Sequence, residues 1–361
     1  MSTKLKQRKF PFIKKNAPVF SNPTLPKHTG EDEDLQLNYF RFNANEIEFY
    51  PDETLEKFEH YKLKNEFNYW WNIASFSEKE LNRISEKIDI HPLVQEDIFS
   101  KAQRPKIEEE NNLLSCILKM MYYDDEKNTI EYEQISLVLG LNYVFSFQEN
   151  LNRDLFNNVR ERLNITSSKV RNNTVDYLFY RLLDAVIDNY YLILEKIDAN
   201  ISQIENNIIH QDDLKYTMDD INTIRREVII FKQHIFPVKE IVAQLVRSEN
   251  NLIHQNTKRY FNDLLDHIVQ ANEQCDSYRD LINNLRDLYF NQMNVKTNDA
   301  MKFLAIVTTL LAPSAVIGGV FGMNFKILPL TNHPHGFWIT TLFLLLLTLL
   351  MIVFFKKKKW F

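Results

Sequence analysis

Glycine is scarce in this chain: it accounts for 6 of 361 residues, and none lies between Gly140 and Gly318. Within that stretch the only prolines are Pro237 and Pro313. With so few breakers the backbone is expected to run as long helices. The same scarcity excludes a glycine-rich phosphate cradle, and no Gly-x-x-x-x-Gly-Lys-Ser/Thr segment occurs. Cysteine is almost absent. Cys116 and Cys275 stand far apart without metal-ligand spacing, which argues against a disulfide framework or a zinc site and for a reducing compartment. A net charge of -5, with no basic cluster interleaved with aromatics, argues against nucleic acid as a partner. Lys4, Lys6, Arg8, Lys9, Lys14 and Lys15 are not followed by an apolar run of signal-peptide length. Residues 1–34 are therefore expected to be a disordered cytosolic tail. No nucleophile and base constellation stands out, so neither an enzyme nor an organic cofactor is expected.

Charge is missing altogether from two runs near the C-terminus, Phe303 to Met323 and Phe337 to Phe355. Each is about 20 residues, enough at ~1.5 Å per residue to cross a ~30 Å hydrocarbon layer. The chain thus reads as a multi-pass protein of the cell (inner or plasma) membrane, with the lipid bilayer as one partner. Lys296 and Lys302 precede the first run and Lys356 to Lys359 follow the second, whereas the loop from Asn324 to Gly336 holds only Lys326. This asymmetry puts both termini in the cytoplasm and the short loop outside.

The remaining sequence, 25% charged overall, must face water. Before Gly140, Phe67 to Ser75, Leu113 to Tyr123, Ile130 to Leu139 and Tyr143 to Gln148 read as strands, the last two joined by a tight turn. Ser77 with Glu80 forms a capping box for a helix through Leu81, Ile84 and Ile88. A helix from about Asn172 to His210 carries Ile197, Ile201, Ile204 and Ile208 at heptad spacing, and a second runs from about Leu214 to Arg247. A third, from about Asn251 to Gly322, repeats Leu264, Ile268, Ala271, Cys275, Tyr278, Ile282, Leu285 and Tyr289 and passes unbroken into the first apolar run. The fold class is an α/β cytosolic domain plus long helices, ending in two transmembrane helices of which the first continues a stalk helix. Its expected parts are the tail 1–34, an α/β domain 35–170, a helical hairpin 171–250, a stalk 251–302, a first span 303–323, an external loop 324–336, a second span 337–355 and a basic tail 356–361.

One face of the third helix carries Asn284, Asp287, Asn291, Asn294 and Asn298, and the spacing continues through Met301, Ala305, Thr308, Ala312, Ala315 and Gly319. That face is amide-rich below the membrane and small or weakly polar within it, so the first span is expected to line something. The second, with Leu342 and Leu344 to Leu347, shields it from lipid. One chain supplies a single such helix, so a conduit requires a closed ring of identical chains. Asn324, in Gly322-Met323-Asn324, would then form a ring of neutral amide acceptors at the outer mouth. Such acceptors suit a divalent cation that keeps its water, as Mg²⁺ tends to.

The tripeptide at the end of the penultimate span, the basic C-terminus, His91-Pro92-Leu93-Val94-Gln95-Glu96-Asp97-Ile98, Gln103-Arg104-Pro105-Lys106, Val159-Arg160-Glu161-Arg162 and Asp176-Tyr177-Leu178 resemble the CorA family of magnesium and cobalt transport proteins. The likeness covers roughly His91 to the end. It implies a funnel-shaped homopentamer that carries Mg²⁺ or Co²⁺ and is closed by Mg²⁺ bound between cytosolic domains of neighbouring subunits. It also implies a selectivity ring at Asn324 and a hydrophobic constriction at Met301 and Leu304. Ala312, Ala315 and Gly319 would line the pore. Asp97 would share a regulatory ion with Asp287 of the next subunit, and Glu96, Asp184 and Asp263 would form a second, weaker site.

Two departures from the family pattern stand out: Phe321 replaces the usual tyrosine before Gly322, and Lys326 and Leu330 replace two loop acids. They bear on cation recruitment and ion preference, and a zinc, cobalt or nickel carrier on the same fold is the alternative within transport. A membrane-anchored coiled-coil sensor or scaffold is the alternative from another class.

Overall fold

A computed structural model describes residues 35–101, 103–110, 112–124, 129–150, 154–210, 216–324, 328–330 and 333–358. The basic tail 1–34, Lys326, Leu214 and the last lysine, Lys359, lie outside the described residues.

Seven strands form one sheet in the order β2-β1-β3-β7-β6-β5-β4. They are β1 (Gln36–Phe42), β2 (Ile47–Tyr50), β3 (Asn68–Ala74), β4 (Lys106–Glu110), β5 (Leu113–Asp124), β6 (Thr129–Leu139) and β7 (Tyr143–Gln148). All neighbours are antiparallel except β3 and β7, which run parallel with Trp71 opposite Phe145. The four strands expected from sequence are present within a residue or two of their expected ends. Gly140 serves the β6–β7 turn by close approach. Its N–H donates to Tyr143 O at 2.9 Å, and a Cβ there would lie 2.3 Å from the Tyr143 ring.

Helices cover both faces of the sheet. Tyr69, Trp71, Ile73, Phe145, Phe147 and Val138 point to one side and pack with α1 (Leu55–His60), α2 (Glu78–Ile88) and α3 (Pro92–Phe99). The Ser77–Glu80 capping box opens α2, both reciprocal bonds being present. On the other side Trp70 meets Phe156 edge-on, next to α4 (Asn157–Asn164). There Tyr190 and Asn189 of α6 (Val175–His210) bond the backbone of β5 at Lys119 O and Met121 N. Period-two alternation on a sheet covered twice explains why Trp70 and Trp71 are both buried.

The helix starts differ from expectation for local reasons. Ser168 caps a separate four-residue α5 (Lys169–Asn172), Asn173 is extended, and α6 begins only at Val175. The next helix, α7, spans Met218–Arg247 and contains Pro237. Asn250 Oδ1 accepts the N–H of Leu252 at 2.9 Å and holds a turn ahead of α8 (Gln255–Phe321). That helix has 67 residues, about 100 Å at 1.5 Å per residue. The last helix is α9 (Gly336–Lys357).

By their internal contacts the described residues fall into two compact units. One comprises residues up to Ile197 with Glu227–Asp276, and the other Asp198–Arg226 with Ser277 onward.

Candidate metal sites and conduit helix

In the first unit the family-like motifs have structural work that explains their residues. His91 caps α3 by accepting the N–H of Leu93 at 3.2 Å, and Pro92 takes the first helical position. This orients Asp97 inward, where it is buried, while Glu96 on the next position is exposed. The carboxylate of Asp97 is ion-paired with Lys106 of β4, whose ammonium also reaches Glu108 at 2.9 Å. The end of α3 is held from below by side chains. Gln134 Nε2 donates to Asp97 O at 2.8 Å, and the buried Lys119 donates to Lys101 O at 2.9 Å and to Gln134 Oε1 at 3.0 Å. Burial pushes the Lys119 ammonium down to about 8, with Glu149 acting in the opposite direction.

A second group of ligands lies between α6 and α8. Asp184, Asp188 and His267 bring ligand atoms within 4.8 Å of one another. Asp184 is buried, and burial raises its carboxyl pKa. Arg181, ion-paired with it, and His267 lower that pKa, whereas Asp188 and Asp263 raise it. A divalent cation would relieve both the burial and the repulsion between the acids. Carboxylate oxygens with one imidazole are a plausible donor set for a hard or borderline ion. Of the acids read from sequence, Asp184 and Asp263 are therefore electrostatic neighbours, and Glu96 is not part of the cluster. Sequence reading missed Asp188 and His267. Both stand at i, i+4 from a residue it had named, the spacing that puts side chains on one helix face. Cys116 and Cys275 are buried free thiols, and burial pushes Cys275 up to about 12.

Along α8 the two stripes differ in burial over its first half, although Tyr278 and Tyr289 of the apolar one are only half-buried. Leu264, Ile268, Ala271 and Cys275 are buried in the first unit, and Ile282 and Leu285 in the second. Asn284, Asp287, Asn291, Asn294, Asn298, Met301, Leu304, Thr308, Ala312, Ala315 and Gly319 are all exposed. The Thr308 hydroxyl donates to Leu304 O at 2.9 Å, so its donor is used within the helix and its oxygen is left to face outward. Gly322 N still bonds Gly318 O at 3.0 Å and Met323 N closes on Val320 O at 3.2 Å, so the helix tightens and ends immediately before Asn324, which is exposed. Both α8 and α9 contain stretches long and apolar enough to span a membrane, and those stretches are almost entirely uncovered by their own chain. Apolar area of this extent requires lipid or further copies of the chain.

The family model described as CorA-like Mg²⁺ transporter protein matches residues 65–357. The chain belongs to the CorA family. It is accordingly a channel-like divalent-cation transporter of the membrane, not an enzyme. The match begins ahead of His91, so the likeness extends over β3 and α2 as well. Among relatives, the cobalt/magnesium transport protein CorA of Thermotoga maritima is 34% identical over 72% of this chain and 74% of its own. The protein of the same name from Methanocaldococcus jannaschii is 23% identical over 78% and 86% respectively. The solved structure of the complete CorA magnesium transporter from Methanocaldococcus jannaschii superposes with a TM-score of 0.73 at 19% identity, covering 90% of this chain and 98% of that one. Full-length CmaX gives 0.68 at 17% identity over 92% and 100%. These two likenesses establish the fold.

Proposed function

We propose that this CorA-family chain assembles as a homopentamer around a pore lined by α8 and carries Mg²⁺, with Co²⁺ as a second cargo, into the cell. The observation that carries the reading is the exposed amide and small-residue face running from Asn284 to Gly319 and ending at Gly322-Met323-Asn324. In a ring of copies, Asn298, Met301, Leu304, Thr308, Ala312, Ala315 and Gly319 would face the axis. Asn324 would present neutral carbonyl oxygens to a hydrated dication, held strongly enough to select it and weakly enough to release it. Met301 and Leu304 would form the apolar constriction. A membrane potential supplies about 2.3 kcal/mol per charge per 100 mV, roughly double that for a dication, so inward flow needs no coupled fuel. The lysines flanking the spans favour cytoplasmic termini, which puts Asn324 outside.

The same assembly gives the cytosolic acids a regulatory role. Asp97 with Asp287 of the neighbouring copy, and Asp184 and Asp263 with Glu96, would hold Mg²⁺ between subunits when the ion is plentiful inside, tying the copies together and keeping the pore shut. Carboxylate oxygens fit that ion, and the raised pKa of the buried Asp184 marks a site that gains by taking up positive charge.

The test is the mass of the protein purified in detergent. It should be about five times the chain mass of 43.1 kDa, and more resistant to dissociation in Mg²⁺ than in chelator. A stable monomer in both would contradict the reading.

A further inference from the structure

The acid assigned above to the principal regulatory ion already holds a cation from its own chain. Asp97, 7% exposed, is ion-paired with Lys106, and the Lys106 side chain, a third exposed, is shared only with Glu108 among the described ion pairs. The two residues are fixed by different elements, Asp97 by α3 capped at His91 and Lys106 by the register of β4 against β5, where it stands opposite Ile117. Their meeting is therefore built into the sheet and its covering helix. Asp184, the buried acid of the second proposed site, is likewise ion-paired, with Arg181.

We infer that Lys106 is a tethered competitor of the divalent cation at Asp97, and that it sets the internal concentration at which the ion binds. The inference rests on the reading of Asp97 as a regulatory ligand. With no ion bound, the ammonium satisfies a buried carboxylate that would otherwise be costly to leave charged and unpaired. A dication approaching Asp97 must displace that ammonium or bind beside it against like-charge repulsion, and either weakens binding. Lys106 thereby holds the site's affinity below what the carboxylates alone would give and turns it into a sensor of high rather than trace internal levels. Glu108, at 2.9 Å from the same ammonium, offers Lys106 an alternative partner when it leaves Asp97.

The test uses the full-length protein purified in detergent and follows its melting temperature in a Mg²⁺ titration. Lys106→Gln should reach half of the Mg²⁺-dependent rise at about three- to tenfold lower Mg²⁺, the range expected for removing one partly exposed like charge. Lys106→Arg, which keeps the charge, should stay within about twofold of the wild type. Asp97→Asn should weaken the response, and adding Lys106→Gln to it should change nothing further, because the two residues act through one contact. If Lys106→Gln does not fold, Lys106→Met removes the same charge, keeps the aliphatic stem and gives the same readout. An unchanged or weaker Mg²⁺ midpoint in Lys106→Gln, with Asp97→Asn weakened, would overturn the competitor role and leave Asp97 as a ligand. An unchanged midpoint in Asp97→Asn would remove the regulatory reading of Asp97 and the inference with it.

Discussion

Asp184 on α6 and His267 on α8 bring ligand atoms within 4.8 Å of each other, with Asp188 one turn further along α6 completing the group. Imidazole is a good ligand for Co²⁺, Ni²⁺ and Zn²⁺ and a poor one for Mg²⁺, which prefers oxygen. His267→Asn should therefore reduce the stabilisation given by Co²⁺ by about tenfold in midpoint concentration and leave that given by Mg²⁺ within about twofold. Paired melting titrations with the two ions decide it; equal losses for both would mean that His267 supports the helices and does not ligate.

Asp176 is fully buried at the start of α6 and accepts the backbone N–H of His254 at 2.8 Å, just before α8 begins. Asp176→Ala should cost about 1.5–3 kcal/mol, the range for losing a hydrogen bond to a charged group. A drop in melting temperature, with metal midpoints unchanged, is the expected result.

In the connection between α8 and α9 a Cβ on Gly336 would lie 2.1 Å from the carbonyl oxygen of Leu330, which itself adopts a left-handed backbone at φ 65°. Gly336→Ala must push the loop open and should destabilise by roughly 1–3 kcal/mol, as overpacking does. Leu330→Gly should be neutral or stabilising by about 1 kcal/mol, since it relieves the left-handed conformation. Thermal unfolding of both variants in detergent tests the pair.

Lys119 gives a pH signature of known sign. Its folded pKa, lowered by burial to about 8, lies below the ordinary value, so between those limits the unfolded chain binds more protons than the folded one. Stability should therefore rise as pH increases from about 8 towards 10, by up to the order of 3 kcal/mol if the full shift is expressed. Lys119→Met should flatten that rise. Melting temperatures of both proteins across the interval measure it.

The sequence revealed most where periodicity was clean. The bounds of β5, β6 and β7 were readable because buried runs end at Gly140 and at polar turns, and α8 was readable from an unbroken heptad. β4 was missed because Lys106-Ile107-Glu108-Glu109-Glu110 is a charged edge strand, and charge at a sheet edge conceals strand character. α3 was missed because it is short and begins with proline. At the site, Asp184 and Asp263 could be named from family likeness. Asp188 and His267 needed only the i, i+4 rule, applied to two helices that the sequence did not show to be neighbours. The Asp97–Lys106 pair joins a helix to a strand with the chain turning between them, and no local pattern announces it.

On the proposed function, Asn324 crowns a pore through which a hydrated dication passes. This is tested most directly by Mg²⁺ influx into liposomes holding the full-length protein or Asn324→Ala, with the oligomer mass checked in parallel. Influx should fall at least tenfold in Asn324→Ala while the oligomer stays unchanged. Wild-type influx through an intact Asn324→Ala assembly would contradict it.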